Sequence, residues 1–163
     1  MLEVRLTLPV APVTKKNHGN IVRFGRNKEH VRVMPSEQYQ AFFRQVMSLK
    51  PRILRELGGV TLPITAPVQV SAQFYRERNI GDLNGFMQAL GDVLQSPVIR
   101  DGKLARDGLG IIKDDSQIDS WDGTRRRKDA ANPRIEIEIR VLGEAQERLE
   151  LGEEIETRGG GRT

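Results

Sequence analysis

The chain contains no cysteine among its 163 residues. Disulfides and thiolate metal sites are therefore excluded, which agrees with a reducing compartment and an expected cytoplasmic location. Histidine is almost as scarce. His18 and His30 are the only two, so a histidine-based zinc site or a Ser-His-Asp triad would have to use one of them. Neither lies in a sequence setting that suits either role. Long apolar runs are also missing. No stretch approaches the roughly 20 residues needed to span a bilayer, so no membrane partner is expected. No charged start followed by an apolar run and a cleavage site marks the chain for export.

What is present fits one domain with a real core. Hydrophobic residues make up 37% of the chain and the formal net charge is +4. That charge is unevenly spread. Residues 144–163 hold six glutamates against three arginines, so residues 1–143 carry +7. A basic body favours a polyanionic partner, although surplus surface charge also serves solubility. The expected organisation is a folded domain over 1–143 followed by an acidic, then glycine-rich tail over 144–163. A short helix is expected at Glu144 to Leu151, with fraying at Gly159-Gly160-Gly161.

Hydrophobic periodicity sets the element order. Leu2 to Leu8 alternates apolar and polar residues and reads as a half-buried strand ended by Pro9 and Pro12. Val13 to Lys28 is a basic loop or hairpin carrying Lys15, Lys16, Arg23, Arg26 and Lys28, and Val31-Arg32-Val33 reads as a short strand. Ser36 is placed to cap a helix whose buried face is Tyr39, Phe42, Phe43, Val46, Met47 and Leu49. Pro51 interrupts or restarts that helix, and Gly58-Gly59 ends it. Pro67 to Arg76 alternates again, with Val68, Val70, Ala72 and Phe74 on one face.

The next helix, opening at Asp82, buries Leu83, Phe86, Met87, Leu90, Val93 and Leu94, and Ser96-Pro97 stops it. Asn84, Gln88 and Asp92 recur every four residues and predict a polar stripe along it. Val98 to Ile112 reads as a hairpin or long excursion, Ile118 to Trp121 as a short strand, and Ile135 to Val141 as the final strand. Strand, loop, helix, strand, helix, strands implies an α+β fold, a small mixed β-sheet packed against two main helices.

The chemistry concentrates between Asp82 and Ile118. The segment opens with Asp82-Leu83-Asn84-Gly85-Phe86-Met87-Gln88-Ala89-Leu90-Gly91-Asp92-Val93-Leu94 and closes with Lys113-Asp114-Asp115-Ser116-Gln117-Ile118. Asp82 stands where a strand gives way to a helix, and Asp115 just before another strand. Mg²⁺ takes one or two carboxylates and completes its shell with water and substrate phosphate, so two such carboxylates suit it. Ordinary structural roles suit them too: Asp82 is a good N-cap, and Asp114-Asp115 fits a turn. The basic run Arg125-Arg126-Arg127-Lys128 follows closely and offers cations to phosphate.

These two motifs, in this order and spacing, resemble the RusA-type Holliday junction resolvase family. Its hallmark is a strand, then Asp-Leu-Asp-Asn-Leu-x-Lys-Ala-x-x-Asp-Ala-Leu, then a loop ending Asp-Asp-x-Gln-Ile. Asp82-Leu83, Ala89 and Asp92-Val93-Leu94 fit the first motif, and Lys113 to Ile118 fit the second. The resemblance implies a small homodimeric endonuclease, common in phages and prophages, working in a bacterial or phage-infected cell. It would bind branched, four-way DNA in recombination and repair and cut it with Mg²⁺, or with Mn²⁺ in its place.

Carried over by position, Asp82 and Asp115 are the expected catalytic, metal-binding carboxylates, with Asn84 and Asp114 as further metal ligands. Lys15, Lys16, Arg125, Arg126, Arg127 and Lys128 are the expected DNA-binding residues. Two positions depart from the pattern. The family's second Asp is Asn84 here and its helix Lys is Gln88. A carboxylate lost about 4 Å from a divalent ion forfeits on the order of several kcal/mol of attraction at an effective dielectric of ~20.

Asp92 or Asp114 would have to restore the missing carboxylate. Asp92 lies two helical turns from Asn84, about 12 Å along the axis, which leaves Asp114 as the better placed. Lys113, Arg78 or the 125–128 run would restore the cation. The same residues also fit a catalytically weakened or inactive junction-binding relative, or a small basic interaction domain unrelated to DNA.

Overall fold

The computed structural model describes residues 2–15, 20–28 and 30–143. Lys16, His18 and the 144–163 tail, with its expected helix, lie outside the described residues. Within them the architecture is the expected α+β fold: a mixed sheet with helices against one face. The strands are β1 (Glu3–Leu8), β2 (Asn20–Phe24), β3 (His30–Met34), β4 (Val68–Arg76), β5 (Val98–Arg100), β6 (Lys103–Arg106), β7 (Ile118–Ser120), β8 (Arg125–Lys128) and β9 (Arg134–Val141). The helices are α1 (Glu37–Ser48), α2 (Lys50–Glu56) and α3 (Leu83–Leu94), with a one-turn 3₁₀ helix at Asp115–Gln117.

The main sheet runs β1-β9-β4, all antiparallel, and ends on an edge shared by two short strands. β7 pairs parallel with the start of β4 and β8 pairs parallel with its end. The turn between them is held by Thr124, whose Oγ1 accepts from the Ala72 amide at 3.1 Å. Alternation along the strands sends one face inward: Val4, Leu6 and Leu8; Val68, Val70, Ala72 and Phe74; Ile135, Ile137, Ile139 and Val141, all buried. The opposite face is polar, with Arg5 and Arg140 bridging Glu3 and Glu138 across β1 and β9. These pairs are largely exposed and add little to stability.

The helices close over the apolar face. Ser36 caps α1 by accepting from the Tyr39 amide at 3.2 Å, as its position implied. α1 buries Tyr39, Phe42 and Val46, while Phe43 and Met47 are only partly covered. Pro51 sits in the first turn of α2, where a missing N–H costs nothing, so it restarts the helix. α3 buries Phe86, Ala89, Leu90, Val93 and Leu94, and the Phe86 ring stacks on Phe74 of β4 at 5.3 Å. Leu83 and Met87, expected in the core, are half-buried at its rim.

The excursion after α3 holds a surprise. β5 and β6 form the expected hairpin across Asp101-Gly102. Its return then packs against the end of α3, and Leu109, Ile111 and Ile112 are among the most deeply buried side chains. Their amides bond to the end of α3, Leu109 to the Val93 carbonyl and Ile111 to the Leu94 carbonyl. Periodicity gave no sign of this, because the segment is irregular backbone in which Gly108 and Gly110 flank Leu109.

Two glycines define how tightly this packs. A Cβ at Gly108 would stand 2.0 Å from the Gln95 carbonyl oxygen, a backbone atom that cannot yield. A Cβ at Gly91 would meet the Asp115 Cβ at 3.7 Å, an ordinary contact. Gly108→Ala is therefore expected to cost about 1–3 kcal/mol, as overpacking does. Gly91→Ala is expected to gain roughly 0.5–1 kcal/mol through helix propensity. Urea unfolding of both variants checks the pair; equal effects would contradict this packing.

Candidate active site

α3 carries the first motif and the 3₁₀ turn the second, and the fold brings one side of each together. Asn84, Met87, Gln88 and Gly91 of α3 face Asp115, Ile118 and Trp121 across a cleft of about 250 Å³. Met87, Ile118 and Trp121 make its walls apolar, while Asn84, Gln88 and Asp115 supply oxygen and amide groups. The Asp115 turn lies against the helix at Gly91, where a Cβ would meet the Asp115 Cβ at an ordinary 3.7 Å.

The second motif divides its labour. Asp114 is the N-cap of the 3₁₀ turn: its Oδ1 accepts from the Ser116 amide at 2.9 Å, and hydrogen bonds from the Ser116 side chain and then its amide hold the carboxyl below the usual range. Gln117 closes the capping box by accepting from the Asp114 amide at 2.8 Å. Its Nε2 donates to the carbonyls of Ile64 and Ala66, both at 2.9 Å, tying the turn to the strand entering β4. Asp114 and Gln117 thus build the frame, and Asp115 is the carboxylate they present to the cleft. The expectation that Asp114 serves as a further metal ligand competes with this capping role.

Asp82 lies at the opposite end of α3. It caps the helix, accepting from the Asn84 amide at 3.1 Å. It lines a neighbouring depression of about 270 Å³ with Val13, Thr14, Gln38, Arg76, Ile80 and Gly81. The turn before it is tightly fixed. Gly81 adopts φ +116°, and a Cβ there would fall 2.5 Å from the Phe86 ring. Arg76 lies over that ring and donates to the Ile80 carbonyl at 2.7 Å. Asp82 and Asp115 therefore border adjoining depressions rather than one pocket. Among the described residues no group of three His, Asp or Glu side chains is arranged to hold a metal.

The basic run has structure the sequence did not disclose. Arg125 to Lys128 is the edge strand β8, exposed along its length. Arg126 Nη1 donates to the Gly81 carbonyl at 2.7 Å, and Arg127 Nε to Gln73 Oε1 at 3.0 Å. Arg126 is thus anchored beside the Asp82 end of α3 and Arg127 on Gln73 of β4, along an exposed sheet edge.

Asp92, weighed as a replacement carboxylate, and Lys15, expected on DNA, pair with each other instead. Asp92 does not extend the polar stripe of Asn84 and Gln88; it is buried, with 5% of its surface exposed. The reason is a ready pair of partners. Tyr39 donates its hydroxyl to Asp92 Oδ2 at 2.6 Å, and Lys15 Nζ lies 2.8 Å from the same oxygen. Asp92 is therefore not a spare metal ligand. Lys15, expected on DNA, is held by this carboxylate while its side chain stays about half exposed (46%). A distance of 53 residues separates Asp92 from Tyr39, so no local pattern linked them.

No protein-family model matches the chain, and no curated protein matches it.

The Tyr39–Asp92 pair has a pH signature. Burial, reinforced by the hydrogen bond to the Asp92 carboxylate, raises the Tyr39 hydroxyl far above the ordinary tyrosine value. Below about pH 10 both folded and unfolded chains keep that proton, and stability is indifferent to it. Above it the unfolded chain ionises and the folded chain does not, so stability falls as pH rises. Tyr39→Phe should remove this alkaline loss while costing about 1–3 kcal/mol at neutral pH through the lost bond to a charged acceptor. Urea unfolding at neutral and alkaline pH tests both; an unchanged alkaline slope would contradict the assignment.

Proposed function

We propose that this chain is a divalent-metal-dependent, structure-selective DNA endonuclease similar to the RusA-type Holliday junction resolvases. The observation that carries the reading is the cleft. Asn84, Gln88 and Asp115 were singled out by two motifs separated along the chain, and they line one depression. The exposed cationic edge strand β8 supports it, because it is anchored on Gly81 next to Asp82. Phosphate-binding cations beside oxygen ligands are what hydrolysis of a phosphodiester requires.

The donor set suits Mg²⁺ or Mn²⁺. Asp115 offers a carboxylate oxygen and Asn84 an amide oxygen at one cleft, hard ligands in the small number that Mg²⁺ takes from a protein, while the Asp82 carboxylate borders the adjoining depression. The ion, when bound, would polarise the phosphoryl group and lower the pKa of a water. The chain's own contributions are separate from that. Arg125, Arg126, Arg127 and Lys128 would hold backbone phosphates and set the strand's direction without reading sequence. Met87, Ile118 and Trp121 would limit water at the cleft floor. Asp114 and Gln117 would hold Asp115 in register. Two copies acting on a four-way junction would place two such clefts on symmetry-related strands.

A second reading rests on a specific feature: Asn84 replaces a charged ligand and Gln88 a cation. A chain so altered would bind junctions and cut them weakly or not at all. The two readings separate in one assay, metal-dependent nicking of a synthetic four-way junction with a linear duplex as control.

In that assay Asp82→Asn and Asp115→Asn should each abolish cleavage while leaving junction binding largely intact. Asn84→Asp with Gln88→Lys should raise cleavage at low Mg²⁺; lower activity would count against carrying the family's mechanism over by position. The basic strand is tested by salt. Replacing Arg125, Arg126 and Arg127 with Ala should weaken binding and flatten log affinity against log salt by roughly 0.9 per lost contact. An unchanged slope would make β8 a solvated edge only.

A further inference from the structure

β2 and β3 form a two-stranded sheet that pairs with no other described strand. An isolated hairpin of this kind is marginal in water, so its surface residues matter more than usual. Register places Phe24 directly opposite His30, and Arg32 two residues further along the same face. The two rings stack at 5.4 Å with 30° between their planes. Phe24 is nevertheless 50% exposed, and Val31 on the other face is 61% exposed. Single exposed apolar residues are common on proteins. A stacked aromatic pair at the outer end of a hairpin that pairs with no other described strand is a different feature.

The charge around it is one-sided. Arg23, Arg26, Lys28 and Arg32 are all exposed, against Glu29 as the one carboxylate in residues 20–34. Lys28 and Gly25 close the turn, the Lys28 amide donating to the Gly25 carbonyl at 3.1 Å. From the Asn20–Met34 pair to the Phe24–His30 pair the hairpin extends about 13 Å, four residues at the rise of a strand. Its base is fixed: Lys15 before it and Tyr39 after it both bind the Asp92 carboxylate of α3. The arm is thus tied to the helix whose other side lines the cleft.

We infer that the β2–β3 hairpin is a base-stacking arm, offering the Phe24–His30 face to unpaired nucleobases while Arg23, Arg26, Lys28 and Arg32 hold the flanking phosphates. This rests on the nucleic-acid reading above and adds to it the element that recognises unpaired strand. An aromatic face suits any base, and cations alongside it track the backbone, so the arm would favour unstacked over duplex DNA without regard to sequence. Duplex DNA keeps its base faces covered and offers the arm phosphates alone.

The test compares the full chain on three probes: a single-stranded oligonucleotide, a duplex with a short unpaired gap, and a linear duplex. Phe24→Ala should weaken binding to the first two by roughly ten- to a hundred-fold, the range for one lost stacking partner, and leave the linear duplex unchanged. Arg26→Ala with Lys28→Ala should weaken all three alike. Phe24→Trp should retain binding, and its added emission should be quenched by the gapped probe and not by the linear one. If the parent chain binds none of the probes, the nucleic-acid reading and the arm fall together. If the parent binds and Phe24→Ala binds all three equally well, the arm alone is refuted. A Phe24→Ala change that alters self-association and no DNA affinity would assign this face to a second copy of the chain and overturn the proposal.

Discussion

The carboxylate of Asp92 is the point on which the arrangement turns. It is buried on α3, accepts a hydrogen bond from the Tyr39 hydroxyl and pairs with the Lys15 ammonium. A carboxylate withdrawn from water must find donors, and here the two donors come from either side of the β2–β3 hairpin. One interaction therefore fixes where the arm joins the body, how α1 lies against α3, and which face of α3 is left to the solvent. With Asp92 turned inward, Asn84 and Gln88 face outward toward Asp115.

The cleft and the cationic edge are consequences of the sheet's asymmetry. β4 lies between β9 on one side and two short strands on the other, because the turn at Trp121 to Thr124 breaks that edge in two. β7 follows Asp115 and sets it at one end of α3. β8 sets Arg126 at the other end, against Gly81 beside Asp82. The edge carries four consecutive basic residues, a composition that discourages pairing with another strand and keeps the edge open to a polyanion.

Much of this was readable from residue order. The alternating strands, the Ser36 and Asp82 caps, the Pro51 restart and the final strand all follow local rules, and the structure places each where those rules put it. The second motif was legible as a turn at Asp114-Asp115, whose hydrogen bonds lie within four residues. The buried return of Leu109, Ile111 and Ile112 was not legible, because irregular backbone has no period. Nor was β8: four basic residues carry no hydrophobic alternation, and they form a strand only because β4 presents unpaired backbone groups to them.

By itself the sequence determined the class of fold, the apolar face of each main element and the two motifs that mark the cleft. Those depend on contacts within a few residues, where spacing alone fixes which side chains share a face. The tertiary structure decided which polar residues face each other. Asp92 and Asn84 lie on one helix with the same spacing signal, and only the arrival of Tyr39 and Lys15 separates a buried anchor from a cleft-lining group. Asp82 and Asp115 are likewise set at opposite ends of α3 by the direction in which that helix runs back across β4. Long-range packing chooses between equivalent local patterns because desolvating a charge is costly, and the partners that offset it are supplied by distant parts of the chain.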